Sequence, residues 1–162
     1  MAEPLTAELA PRVEIPTSPM GIGGWLILIA IGQVLGPLRV LANLAQTYGS
    51  ADMARAFKTI PLAMYGTLVI DLAYGIFMLA TTVAFFTHKR IFKMMFTWEI
   101  FGIFLVALLE FLWMSATINV PASKLIDASA GEIGQSIGAT VAGLVWVAYV
   151  WRSKRVRNTF LN

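Results

Sequence analysis

Four residues stand where so apolar a chain should carry none: Arg39, Asn43, Asp71 and Glu110. Each lies inside an apolar run long enough to cross a bilayer, because ~20 residues rising ~1.5 Å apiece span the ~30 Å of hydrocarbon. Counted inward from the span ends, the three charged residues all fall about 10–14 Å deep, in the outer half of the membrane. Charges inside a membrane pair and face the bundle interior. A buried cluster of Arg39, Asp71 and Glu110 is therefore expected, with Asn43 one turn from the arginine. Two acids against one base leave a carboxyl that needs a proton, a cation or a polar ligand. Three uses stay open for such a cluster: an ion pair that fixes helix register, a pocket for a ligand or partner, and a path for protons.

The remaining polar residues point to less. Glu99 shares a helix face with Glu110, but ~16 Å separates them along the axis, too far for joint carboxylate chemistry. Glu99 is near enough to the basic turn to pair with Lys93 or Arg90. His88, the one histidine, sits in that turn and reads as a solvated loop residue. The chain has no cysteine, which excludes disulfides and thiolate chemistry. There is no HExxH, no GxSxG and no Walker loop, so neither an enzyme nor a cofactor or metal is expected. Gly21, Gly23 and Gly24 precede a membrane helix instead of following a strand, and make no phosphate cradle.

These residues must be positioned by helices. The 162-residue chain is 58% hydrophobic and 13% charged, with a mean hydropathy of +0.75, where a soluble domain carries about a quarter charged residues. It reads as an all-α integral membrane protein, an antiparallel bundle of four transmembrane helices with spans near 21–46, 62–87, 94–118 and 132–151. Residues 1–20, with Pro4, Pro11, Pro16 and Pro19, read as a disordered cytoplasmic tail. Between spans one and two, Ser50 should cap a short interfacial helix with Met53, Ala54, Phe57 and Ile60 on one side, and Asp52, Arg55 and Lys58 on the other. Residues 119–131 read as a loop. Gly32 and Gly36 in span one, and Gly134 and Gly138 in span four, have the spacing that lets helices approach closely. Pro37 should kink span one.

The ends carry the topology signal. Residues 152–162 form a basic tail in which Arg152, Lys154, Arg155 and Arg157 either anchor topology or meet anionic headgroups. With Lys89, Arg90 and Lys93 in the turn after span two, they place both termini in the cytoplasm. The net charge of +3 is too dispersed for nucleic acid. The partners expected are membrane lipids, and a membrane-protein partner or further copies of the chain.

Both ends also resemble one family. The run GGWL at Gly23 to Leu26, then Pro37-Leu38, resembles the opening of the bacterial membrane proteins grouped as domain of unknown function 2569. Trp146 and Tyr149, then Ser153-Lys154-Arg155-Val156 and Asn158-Thr159-Phe160, resemble that family's ending. Where the family has a proline before the tyrosine, this chain has Ala148, so no proline kink is expected there. The resemblance covers about Gly21 to Phe160 and implies a four-helix protein of the bacterial inner membrane. It brings no established activity and no catalytic residues. The function expected is therefore binding of a partner membrane protein or a lipid, or else a small oligomeric transporter or proton-coupled accessory built on the polar cluster.

Overall fold

The computed structural model describes residues 20–118 and 122–161. Among these, the regular structure is helical throughout: α1 Leu26–Tyr48, α2 Ala51–Thr59, α3 Pro61–Phe86, α4 Phe92–Thr117, α5 Ala122–Arg152 and α6 Lys154–Thr159. Helices α1, α3, α4 and the Ala130–Arg152 part of α5 are long and apolar enough to cross a membrane. The protein is an all-α, multi-pass membrane bundle. Its outward faces carry large apolar side chains such as Leu35, Val69, Ile76 and Val145.

Local chemistry sets the helix ends. Ser50 caps α2, its hydroxyl accepting from the Met53 N–H at 3.2 Å, as its spacing predicts. Pro61 opens α3 at the first position, where its missing N–H costs nothing. That helix stops in a Schellman turn: the His88 N–H donates to the Phe85 carbonyl and the Lys89 N–H to that of Ala84. His88 takes the left-handed conformation this turn requires, at φ 55°, and its ring packs 5.9 Å from that of Phe160. It is half-buried on an aromatic ring, not a solvated loop residue.

Side-chain pairs fix the antiparallel order. Thr82 reaches Gln33 and Tyr48 reaches Asp71 between α1 and α3. Tyr74 reaches Glu99 between α3 and α4, and Trp151 reaches Thr97 between α5 and α4. The order of contact is thus α1, α3, α4, α5, with α2 folded onto α3. Phe57 of α2 sits between Tyr48 and Tyr65, with centroids 6.0 and 5.0 Å away.

Both described chain ends meet at one end of the bundle, called here the terminal end, where the Gly21 N–H donates to Thr159 Oγ1 at 2.9 Å. The core lies there. Leu26, Ile29, Phe85, Phe92, Phe96, Val150, Val156 and Phe160 form one cluster, and Phe160 stacks on Phe92 at 4.7 Å. Toward the opposite, far end α1 and α4 have no buried residue beyond mid-helix, although Ala63 and Met64 of α3 are buried there under Trp113.

Two boundaries differ from the sequence reading. The expected loop over 119–131 is helical from Ala122 onward. A lone interior Gly131 costs about 1 kcal/mol relative to alanine, too little to stop a helix this long. The expected tail over 152–162 folds instead as α6, capped by the Ser153 hydroxyl, which accepts from the Val156 N–H. Its apolar residues Val156 and Phe160, four apart, dock in the core. The disordered tail expected over 1–20 lies outside the described residues, apart from Met20.

The close-packing glycines also differ. A side chain at Gly32, Gly134 or Gly138 would meet nothing within 4 Å, and one at Gly36 would meet only the Met78 methyl, at 3.1 Å. Between the long helices, the close approaches are at Gly66 under Trp113, Gly102 under Tyr74 and Gly143 under Ile100. GxxxG spacing marks a smooth stripe on a helix, but what faces the stripe depends on helix rotation, which spacing alone does not set.

Candidate functional site

Three polar groups of side chains line the inner faces of α1, α3, α4 and α5. The deepest centres on Glu99, which is 6% exposed and is the buried charged residue among those described. It does not pair with Lys93 or Arg90. Its two carboxylate oxygens accept from Gln33 Nε2 at 3.0 and 3.2 Å, and Gln33 is itself buried. The reason lies in α1. Pro37 has no N–H to give the Gln33 carbonyl four residues back, and hydrocarbon offers no water to replace it. Thr82 Oγ1 of α3 lies 2.9 Å from that carbonyl and shares its one proton between it and the Met78 carbonyl at 3.0 Å. Tyr74 lies over Gly102 and donates to the Glu99 backbone carbonyl at 2.9 Å. Sequence reasoning passed over Gln33 by looking for charges; the signal was a polar side chain four residues before an in-helix proline.

The second group is nearer the far end. Tyr48 donates to Asp71 Oδ2 at 2.8 Å, and the Glu110 carboxyl is within hydrogen-bonding reach of Asp71. Asn43 and Thr47 line the same groove of about 260 Å³ with Tyr48, Asp71 and Tyr74. Carboxyls in contact repel unless a proton or cation lies between them. This much of the expected cluster is brought together: Asp71, Glu110 and, at the groove wall, Asn43.

Arg39 is not. It is exposed, and faces a cleft of about 400 Å³ between α1 and α5, floored by α3 and α4. Gly36 and Val40 border it on α1; Glu132, Gln135, Ser136 and Ala139 border it on α5. An equal count from the span ends did not imply contact, because Arg39 points to the α5 side of α1 whereas Asp71 faces its α3 side. The expected buried three-charge cluster is therefore replaced by an acidic group near Tyr48 and a separate, open cleft holding Arg39. Val40, Tyr74 and Ile103 line both spaces, so the two adjoin.

The sequence pattern of a protein family of unknown function (DUF2569) matches residues 19–161. The chain belongs to the DUF2569 family. No curated protein and no solved structure matches it. Apart from Pro37-Leu38, midway along α1, the segments that carried the family resemblance meet in this DUF2569 protein at the terminal end. A side chain at Gly23 would collide with the Arg155 guanidinium, Trp25 packs 6.3 Å from Trp146, and Phe160 completes the core. Those segments thus build the seal of the bundle, not the polar cleft.

The basic residues of the closing segment of the DUF2569 chain, with Lys93, surround that seal. Arg152, Lys154 and Arg157 are exposed, whereas Arg155 is half-buried over Gly23. Lys93 lies 6.0 Å above the Trp151 ring. Among the described residues no group of His, Asp and Glu is placed to hold a metal ion.

Proposed function

We propose that this protein is a non-enzymatic, lipid-binding protein of the bacterial inner membrane, with both termini in the cytoplasm and the α1–α5 cleft as its binding site. The observation behind the reading is that α1 and α5 stand apart around a cleft whose walls are apolar but whose borders carry Arg39 and Glu132. Bilayer lipid is what such a lateral cleft meets. A partner's transmembrane helix would need two intramembrane charges of its own to match these walls, at high cost, whereas one lipid headgroup carries both. The exposed cations of α6, together with Lys89 and Arg90, suit an anionic cytoplasmic surface.

Native mass spectrometry of protein gently extracted from its membranes tests the reading. Retained phospholipid is expected, and Ala139→Trp, which fills the cleft from an exposed position on α5, should remove most of it at unchanged melting temperature. Equal retention in Ala139→Trp would place the lipid elsewhere. A reproducible extra protein mass would instead support an accessory subunit. Orientation is checked with single cysteines, which the native chain lacks: one at Lys89 should be labelled only from the cytoplasm.

The adjoining Tyr48–Asp71–Glu110 group favours a second reading, a proton-coupled transporter acting as an oligomer. Proton flux in liposomes that survives both Asp71→Asn and Glu110→Gln would count against it.

A further inference from the structure

Resting on the lipid-binding reading, we propose that the cleft selects a phospholipid whose headgroup carries a primary amine beside its phosphate. Arg39 would hold the phosphate and Glu132 the ammonium. Both residues are exposed and both line the cleft, yet they do not neutralise each other: among the described residues the ion pair is that of Arg55 with Asp52. A cation and an anion held apart across one cleft complement a ligand with the same two charges in reverse order. The other carboxylate there, Glu99, is buried and already engaged by Gln33, and the Ser136 hydroxyl is engaged by the Ile133 carbonyl. That leaves Glu132, with the exposed Gln135 beside it, to meet a cation. Below them Met78, Ile100 and Ile103 offer an apolar wall for the glycerol and acyl part.

The chemistry ranks the headgroups. A guanidinium binds phosphate through paired N–H donors, which any phospholipid satisfies. An ethanolamine ammonium adds three N–H donors for Glu132. A choline trimethylammonium has the charge but no donor, and a glycerol headgroup has no cation at all.

The test offers delipidated full-length protein an equimolar mixture of phosphatidylethanolamine, phosphatidylcholine and phosphatidylglycerol with identical acyl chains, and counts bound lipid by native mass spectrometry. Phosphatidylethanolamine should be enriched about 1.5- to fivefold over the others, the range of an exposed charge pair. Glu132→Gln should abolish that preference by lowering bound phosphatidylethanolamine to the level of the other two lipids. Arg39→Gln should lower all three lipids together. Glu132→Lys should turn the preference toward phosphatidylglycerol, and because both sites are exposed these variants should melt as the parent does. Retention without headgroup preference, or preference untouched by Glu132→Gln and Glu132→Lys, would overturn this inference and leave the lipid-binding reading standing. No cleft-dependent retention of any lipid would overturn both.

Discussion

A proline inside a membrane helix orphans a carbonyl, and here one threonine on the neighbouring helix takes it up. Thr82→Val keeps the shape of the side chain and removes the donor to Gln33. It should cost ~1–3 kcal/mol, the range for leaving a buried acceptor unpaired, read as a lower melting temperature in detergent. In a Pro37→Ala background the substituted alanine supplies the missing N–H, so the same Thr82→Val change should cost markedly less. Equal costs in both backgrounds would show that the hydroxyl does not serve the proline. Much of this site was legible in part. Pro37, Glu99, Asp71 and Glu110 stand out by type and position, and the last two do meet. Their true partners, Gln33 and Tyr48, are uncharged, and no charge rule finds them. Arg39 was expected beside Asp71 and Glu110 but faces another side of α1, because counting gives a level along the helix and azimuth follows from packing.

At the scale of elements, α6 is the clearest departure from a composition-based view. Four basic residues in a short run read as a solvated tail, yet the two apolar ones four apart decide the structure. Phe160→Ala should destabilise the bundle by ~3–5 kcal/mol, the usual cost of truncating a buried phenylalanine, and should speed protease cleavage after Arg152. Cleavage no faster than in the parent would mean that α6 is not held by the core. The glycines give a second contrast. Gly143→Val pushes a branched side chain toward Ile100 and should lower stability by about 1–3 kcal/mol. Gly134→Val and Gly138→Val meet open space and should leave the melting temperature of the monomer unchanged. If either of the latter instead lowers it, α5 packs on that face against another copy, which crosslinking would then detect. Four spans, the short helix α2 and its serine cap were readable from periodicity and capping chemistry. The extension of α5 back to Ala122 was not, because polar residues at a helix end resemble those of a loop.

At the scale of the whole molecule, aromatic packing and the paired chain ends close one end of the bundle, while α1 and α5 stand apart toward the other. Local openings are cheapest where the fewest buried contacts must break. Backbone amides near the terminal end should therefore exchange with deuterium slowly, and those near the far end faster. Because successive long helices run in opposite directions, that difference translates into a zigzag along the sequence. Protection should fall along α1, rise along α3, fall along α4 and rise again along α5. Uniform protection within each helix would mean that the four rise and fall as one body. A zigzag would mean that the far half can flex while the seal holds, so one chain joins a permanent hinge to a pair of moving arms.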